Sequence, residues 1–277
     1  MMSDFTYLAV AIFYKKFNPS LGLKILIERQ SIESLSEEFF LWFKLHELSL
    51  REKIQDYTSR GIHFTYPGCW DYPPAFLQNL DSSPLFLTYI GNPAWSQKLN
   101  LGVVGSRKIS TLTKEWIDHE LLQFLHQNDV AVISGGARGV DQAAHFCALR
   151  AKRSTFVFLP SGLEEIYPRD MREWKSEILR FGGAFISEYW PTEKLMKHYF
   201  IERNRLIAAM SDFVLIAQGE CKSGTLLTAQ WALDLGRDLG VLPGHPMDHN
   251  FSGNLHLMRS GVPTVIDSLD LKNLMNL

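Results

Sequence analysis

Three short loops of this chain combine glycine with groups that could bind an anion. Each loop follows a run of apolar, largely β-branched residues and precedes a stretch with helical spacing. They are residues 102–108 (GVVGSRK), 134–141 (SGGARGVD) and 219–225 (GECKSGT). Main-chain N–H groups at the start of a helix attract negative charge. Taken together, the loops favour a ligand that carries several negative charges.

The side chains on these loops suit a phosphate. Arg107 and Lys222 are cationic, and the planar guanidinium of Arg107 can donate two parallel hydrogen bonds to one phosphate group. The candidate anion-binding residues of the loops are Gly105, Ser106, Arg107, Gly135, Gly136, Arg138, Lys222, Ser223, Gly224 and Thr225. For any one loop, a tight strand-to-helix turn with a solvated cation is the alternative.

The segment 198–205 (HYFIERNR) is a further candidate for binding. Arg203, Asn204 and Arg205 could contact phosphates and base edges, and Tyr199 or Phe200 could stack on a base. The alternative is that both arginines pair with nearby carboxylates on a solvated helix. The residues by themselves leave both possibilities open.

Several other kinds of site are not indicated. The first loop lacks the spacing G-x-G-x-x-G and the third lacks the Walker pattern, so we expect neither a dinucleotide cofactor nor ATP hydrolysis. Asp141 and His145 lie one helical turn apart, but a helix cap and a buried histidine are a better interpretation than a catalytic pair. His245, His249 and His256 lack metal-ligand spacing. We therefore expect no cofactor, no metal and no catalytic residue.

Strand-like and helix-like segments alternate from residue 101 onward. This alternation predicts an α/β fold, a doubly wound and mostly parallel sheet with helices on both faces. The predicted strands are 101–104, 130–133, 155–159, 184–186, 213–217 and 239–242. The predicted helices include 116–126, 140–150, 203–210 and 226–235. Because parallel strands end at one edge of a sheet, the loops should converge there.

The first hundred residues have a different organisation. Residues 1–60 show apolar positions at helical spacing and predict a small all-α module. Residues 61–100 are rich in proline and aromatic residues and predict an ordered connector with short strands at 62–66 and 85–90. Residues 101–277 would then form the main domain.

The composition is that of a globular protein with a substantial core. Of 277 residues, 46% are hydrophobic and 21% charged, and the formal net charge is −2, so a polyanion would need a local basic pocket. Three cysteines without a C-x-x-C pair favour a reducing compartment. The N-terminal apolar stretch is too short to span a membrane and is not preceded by the basic residues of a secretory signal. We expect a cytoplasmic protein without membrane association.

In combination, these motifs resemble the DNA-processing protein A family (DprA, also called Smf). The similarity covers residues 72–270. Its elements, in order, are Y-P-P with D-S-S-P-L-F-L, V-G-S-R, S-G-G-A-R-G-V-D-Q-A-A-H, F-L-P-S-G-L-E-E-I-Y-P, I-S-E-Y, R-N-R-L-I-A, K-S-G-T-L-L-T-A and S-G-N-L-H-L-M-R-S-G. Each motif is weak by itself, but their number and order are specific.

The resemblance implies an extended Rossmann-like domain that binds single-stranded DNA in a basic pocket. It implies a homodimer that protects incoming DNA and loads the RecA recombinase during natural transformation. It also implies that the protein binds DNA and is not an enzyme. The DNA-binding residues would be the loop residues named above together with Arg203, Asn204 and Arg205. Residues 1–60 would correspond to the family's SAM-like module, and we expect no C-terminal winged helix.

Two points set the chain apart from related patterns. The family often has F-P-x-R-N-R where this chain has FIERNR, and Glu202 would weaken phosphate contacts if it pointed inward. The alternative function is a nucleotide-binding Rossmann enzyme of the LOG or lysine-decarboxylase-like phosphoribohydrolase type. Its hallmark is P-G-G-x-G-T-x-x-E, but here the glycine pair is absent and Thr228 stands at the position of the catalytic glutamate.

Overall fold

The N-terminal part of the protein is a group of three helices. The computed structural model describes residues 4–28, 35–79, 83–96 and 98–277. The helices are α1 (Asp4–Phe17), α2 (Pro19–Glu28) and α3 (Glu37–Ser59). The hydroxyl of Ser36 accepts a hydrogen bond from Phe39 N at 3.3 Å and so caps the start of α3. The Phe39 ring lies 5.4 Å from Phe13 and 5.6 Å from Phe43 between ring centroids, in a core rich in aromatic side chains.

An eight-stranded sheet forms the body of the protein, in the order β1-β2-β6-β5-β4-β3-β7-β8. In chain order the strands are β1 (His63–Thr65), β2 (Leu87–Gly91), β3 (Leu99–Gly105), β4 (Val130–Ser134), β5 (Thr155–Leu159), β6 (Ala184–Ser187), β7 (Phe213–Gln218) and β8 (Asp238–Val241). From β6 across to β8 all neighbours are parallel, whereas β2 is antiparallel to both β1 and β6. The predicted α/β class with a mostly parallel sheet is confirmed.

Residues 61–100, predicted to be a connector, supply the two antiparallel strands of this sheet. In β2, Thr88 pairs with Ser187 of β6 on one side and with Phe64 of β1 on the other. These strands extend the sheet beyond β6. The division of the chain into domains at residues 60 and 100 stays a prediction.

Helices cover both faces of the sheet. They are α4 (Pro74–Asn79), α5 (Thr111–Trp116), α6 (Leu122–Gln127), α7 (Val140–Arg150), α8 (Lys175–Arg180), α9 (Tyr199–Met210), α10 (Gly224–Asp234), α11 (Ser252–Arg259) and α12 (Ser268–Leu274). A π-helical turn, Ile117–Leu121, joins α5 to α6. The helix predicted over 116–126 is therefore one continuous helical run. None of the helices in the described residues has the length and hydropathy to cross a bilayer.

Alternate residues of the central strand β3 pack into opposite cores. Leu101 and Val103 are buried with side chains of α6, α7 and α12, whereas Val104 is buried with side chains of α9 and α10. Successive residues of a strand point to opposite faces, so a strand covered on both sides must be apolar almost throughout. That is why the predicted strands are continuous apolar runs.

The direction of the chain across the sheet reverses between β3 and β7. After β3 the chain crosses one face through α5 and α6 to reach β4, while after β7 it crosses the other face through α10 to reach β8. Adjacent loops that leave in opposite directions open a crevice at the carboxyl ends of the strands. The first and third glycine-rich loops lie on either side of this crevice.

His145 of α7 is fully buried against the sheet. Its Nδ1 lies 2.6 Å from the Thr155 hydroxyl, and that hydroxyl donates to the Val132 carbonyl at 3.0 Å. The hydroxyl hydrogen is thus used, so Nδ1 must donate and Nε2 carries no proton. Burial lowers the pKa of His145 to about 3, with the charge of Arg203 adding to the effect. His145 is a neutral core residue.

The neutral state of His145 predicts a loss of stability in mild acid. An unfolded histidine binds a proton near pH 6.5, whereas the folded one does so only near pH 3. The contribution of neutral His145 to the free energy of unfolding is therefore fully present above pH 6.5. Below that pH the free energy of unfolding falls by up to about 1.4 kcal/mol per pH unit. Urea unfolding at several pH values between 7 and 4 should show this slope. In the variant His145→Asn, whose amide can replace the Nδ1 donor, the slope should be shallower; equal slopes would contradict the assignment.

Candidate functional site

Hydrogen bonds of the main chain join the first glycine-rich loop to the second loop and to the end of β7, where the third loop begins. Ser106, which follows β3, donates its N–H to the Gln218 carbonyl at the end of β7 over 2.7 Å. The Ser106 carbonyl accepts from Val140 N, the first residue of α7, at 3.1 Å. The Gln218 side chain also accepts from Ser110 N at 2.9 Å. The first loop is therefore held between the other two at the carboxyl edge of the sheet.

Gly139 is required for this close approach. Its φ is +85°, in the region that favours glycine, and a Cβ there would lie 2.3 Å from the Ser106 carbonyl oxygen. Any larger residue would push the first and second loops apart. The second glycine of the G-A-R-G sequence is therefore needed for contact between the second loop and the first loop.

Arg203 of α9 is buried beneath the second loop. Its side chain crosses Gly135, where an added Cβ would clash with Nη1, and Nη1 donates to the Phe158 carbonyl at the end of β5 over 2.7 Å. Burial lowers the pKa of Arg203 to about 10, an effect that Asp141 opposes and Arg107 increases. The guanidinium therefore stays charged at neutral pH. Its Nε has no hydrogen-bond partner among the described residues.

Asp141 supplies the negative charge next to Arg203. Its carboxylate accepts a hydrogen bond from Gly135 N at 3.2 Å. Burial raises the pKa of Asp141 above its usual range, although Arg203 and the hydrogen bonds that the carboxylate accepts from main-chain N–H groups act in the opposite direction. The carboxylate is thus committed to the second loop and to Arg203.

A cavity of about 330 Å³, here called the inner cavity, opens among the three loops and α9. The predicted binding residues that line it are Gly105, Ser106, Arg107, Arg203, Asn204, Ser223, Gly224 and Thr225. Two carboxylates, those of Asp141 and Glu220, also line it. The start of α10 faces this cavity, and no side chain among the described residues caps that helix, because the Ser223 hydroxyl donates to the Glu220 carbonyl instead. The main-chain N–H groups there suit an anion.

A second cavity of about 620 Å³, here called the outer cavity, adjoins the first. Four guanidinium side chains line it, those of Arg107, Arg138, Arg169 and Arg172. Arg169 and Arg172 were not among the predicted residues. The signal that could have found them is the sequence YPRDMR, in which the two arginines come two and five residues after Tyr167.

Arg107 and Phe200 lie at the junction of the two cavities and line both. The guanidinium carbon of Arg107 is 4.6 Å from the centroid of the Phe200 ring, a cation–π contact. The ring of Tyr167 meets Phe200 edge to face, with 5.9 Å between centroids. An aromatic surface next to several cations suits a nucleobase with its phosphates.

The other predicted loop residues lie outside the inner cavity. Gly135 and Gly136 are buried residues of the second loop, and Lys222 is exposed and lines neither cavity. Arg138 lines the outer cavity with 76% of its side chain exposed, 3.4 Å from the Asp170 carboxylate. An exposed pair of this kind contributes little energy, so Arg138 keeps its ability to bind another anion.

Arg205 lies on the other side of α9. Its guanidinium forms two hydrogen bonds of 2.8 Å with the Glu188 carboxylate in a buried ion pair. Lys15 of α1 also pairs with Glu188, at 3.6 Å. Burial raises the pKa of Glu188, but Lys15 and Arg205 outweigh it and hold that pKa below its usual range. Arg205 therefore connects α9 to the N-terminal helices and lines neither cavity.

The positions of Glu202 and Thr228 bear on the two differences from related patterns noted in the sequence. Glu202 accepts a hydrogen bond from the Tyr189 hydroxyl at 2.7 Å and lines neither cavity, so it does not oppose Arg107 or Arg203 there. Thr228, at the position of the phosphoribohydrolase glutamate, is buried and donates its hydroxyl to the Gly224 carbonyl at 3.1 Å. The described residues contain no group of three or more histidine, cysteine, aspartate or glutamate side chains that could hold a metal ion.

Comparison with known proteins identifies the family. A family model described as DNA recombination-mediator protein A matches residues 63–276. The chain belongs to this family. The protein Smf of Borreliella burgdorferi is 34% identical over 257 residues, covering 91% of this chain and 80% of that protein. The DNA processing protein DprA of Streptococcus pneumoniae is 31% identical over 231 residues, covering 83% and 78%. The resemblance found in the sequence is confirmed.

Solved structures of the family share the fold. The X-ray structure of DprA from Streptococcus pneumoniae has a TM-score of 0.76 at 26% identity, covering 98% of this chain and 93% of that chain. DNA processing protein A from Helicobacter pylori, described for its single-stranded DNA binding mode, has a TM-score of 0.68 at 28% identity. That comparison covers 77% of this chain and 96% of the other.

The position of Arg205 predicts a structural effect. Replacing Arg205 leaves the buried Glu188 carboxylate without its two hydrogen bonds and with only Lys15 beside it, so Arg205→Met should lower the free energy of unfolding by about 3 kcal/mol. The double variant Arg205→Met, Glu188→Leu should recover only part of this loss, because no buried carboxylate remains but Lys15 of α1 loses its partner. Guanidinium chloride unfolding measures both. A single variant as stable as the wild type would show that the pair is not buried in solution.

Proposed function

We propose that this protein binds single-stranded DNA across the inner and outer cavities and acts as a recombination mediator. Arg107, Arg138 and Arg203 bind phosphates in the cavities, helped by the main-chain N–H groups at the start of α10, and the exposed Lys222 binds a phosphate outside them. A base stacks on Phe200. The observation that carries the proposal is the position of Arg107, which lines both cavities and lies over Phe200.

The distribution of charge supports this proposal. The protein has a formal net charge of −2, so its affinity for DNA must come from a local cluster of cations. Four arginines line one cavity, and the buried cation of Arg203 lines the next. Family membership and the single-stranded DNA binding described for the Helicobacter pylori relative point the same way. The site binds and positions a strand, and we assign it no catalytic step.

The first test is the replacement of Arg107 by alanine. One phosphate contact on a single strand contributes about 0.7 to the slope of log affinity against log salt, so Arg107→Ala should make that slope shallower by about 0.7. At 0.1 M salt the same contact corresponds to a roughly fivefold loss of affinity. Fluorescence anisotropy with labelled oligothymidylate at several salt concentrations measures both quantities.

Arg180 provides the matched control for this test. It is an exposed arginine on α8 whose guanidinium carbon lies 5.5 Å from the Phe181 ring, outside both cavities. Arg180→Ala should bind like the wild type. If Arg107→Ala also keeps the wild-type affinity and slope, the proposed site is wrong.

A mediator must also pass the strand to a recombinase, and we extend the proposal to RecA. The wild type should accelerate RecA assembly on single strands, measured as DNA-dependent ATP hydrolysis by RecA. Arg107→Ala should lose this acceleration in proportion to its loss of DNA binding.

The proposal includes a homodimer, for which the structure offers an apolar surface. Leu112, Ile266 and Leu269 are 77%, 64% and 60% exposed, and Trp116 joins them by donating its Nε1–H to the Ile266 carbonyl at 2.7 Å. Grouped exposed apolar side chains of this kind are typical of an interaction surface. Light scattering should show a dimer for the wild type and a monomer for Ile266→Asp, Leu269→Asp. A variant that remains dimeric would place the interface elsewhere.

A further inference from the structure

A cleft of about 500 Å³ lies between the N-terminal helices and the sheet. It is here called the basic cleft. Lys15 and Lys16 of α1 and Trp42 and Lys53 of α3 line one wall, and Trp190 and Tyr199 line the other. The combination of aromatic rings with several lysines is the chemistry that binds single-stranded nucleic acid without sequence preference. The site proposed above uses none of these residues.

The positive charge of the basic cleft is available to a ligand. Lys16 and Lys53 are exposed, and neither pairs with a carboxylate among the described residues. Lys15 is engaged by Glu188. The carboxylate that lines the cleft, that of Glu193, accepts a hydrogen bond from the Tyr199 hydroxyl at 3.2 Å. Two ammonium groups therefore remain for phosphates.

The aromatic side chains of the cleft are supported by neighbours. Tyr199 stacks on Tyr189 with 3.9 Å between ring centroids, and Trp42 stacks with His46 at 5.0 Å. Trp190 meets Tyr57 edge to face at 5.5 Å. Rings held in this way lose little conformational freedom when a base stacks on them. They form a prepared surface and are only partly buried.

The start of α9 connects this cleft to the proposed DNA site. Phe200 lines both the inner and the outer cavity, and Tyr199, the residue before it, lines the basic cleft. Consecutive residues of a helix point about 100° apart, so these two rings face neighbouring surfaces. Lys197, two residues before Tyr199, is exposed. The first turn of α9 therefore contributes one ring to the proposed DNA site and the next ring to the basic cleft.

We propose that the basic cleft binds a second stretch of the same DNA single strand, so that the N-terminal helices lengthen the footprint. Phosphates contact Lys16 and Lys53, and bases stack on Trp42, Trp190 and Tyr199. This inference rests on the proposed function, because it requires that a strand already occupies the cavities around Arg107.

The experiment compares two lengths of strand. Anisotropy with labelled oligothymidylates of six and of twenty-four nucleotides is measured for the wild type and for Lys16→Ala, Lys53→Ala. Two lost phosphate contacts correspond to a roughly 25-fold weaker affinity for the long strand at 0.1 M salt and a slope shallower by about 1.4. Affinity for the short strand should stay within about twofold, because the Arg107 site can hold it alone. Arg107→Ala should weaken both lengths.

Lys44 provides the matched control, since it is an exposed lysine of α3 that does not line the cleft. Lys44→Ala should bind both lengths like the wild type. The proposal would be overturned if the double variant bound the long strand as tightly as the wild type does. It would also be overturned if Lys44→Ala lost as much affinity for the long strand as the double variant. Failure of the wild type to bind either length would instead refute the proposed function itself.

Photocrosslinking gives a second and independent measurement. A long strand that contains 4-thiothymidine should crosslink to peptides containing Trp42 or Trp190, and mass spectrometry of the digested product identifies them. With the short strand these crosslinks should be absent or much weaker. Crosslinks confined to peptides around Phe200 for both lengths would overturn the proposal.

Discussion

The buried guanidinium of Arg203 connects all the parts of the candidate site. It donates to the carbonyl at the end of β5, crosses Gly135 after β4 and lines the cavity formed by the loops after β3 and β7. A cation is expensive to remove from water, so its surroundings must supply an acceptor and a counter-charge. The Phe158 carbonyl is the acceptor, and the Asp141 carboxylate is the counter-charge. Gly135, Asp141 and α9 are thereby constrained together.

The same helix uses two arginines for different purposes. Arg203 and Arg205 are two positions apart and so point about 200° apart around α9. One lines the cavity at the carboxyl edge of the sheet, and the other is neutralised by Glu188 on the opposite side. A local basic site can therefore exist in a protein whose formal net charge is −2, because many of its other cations are paired. Position relative to the sheet edge, and not the number of arginines, decides which of them can meet a ligand.

The Glu188 carboxylate also relates the helical part to the site. It pairs with Arg205 of α9 and with Lys15 of α1, so the N-terminal helices lie next to the start of α9. That contact brings α1 and α3 to the residues around Tyr199 and forms the walls of the basic cleft. The N-terminal helices thus do more than pack against the sheet, since they enclose a surface of lysine and aromatic side chains beside the cavities.

The sequence by itself determined the α/β class, the family and the convergence of the glycine-rich loops. Short, continuous apolar runs rich in β-branched and aromatic residues, such as β5, indicate strands covered on both faces, and loops that follow parallel strands must meet at one edge. Tertiary structure decided which cations line the cavities. Arg205 pairs with Glu188, while Arg169 and Arg172 line the outer cavity with Arg107 from the segment after β5, which is not one of the three glycine-rich loops. The pairing of β1 and β2 with β6 was likewise decided by packing. Local pattern specifies an element and its buried face, but the partner of a long side chain depends on residues distant in the chain, which only the folded protein brings within reach.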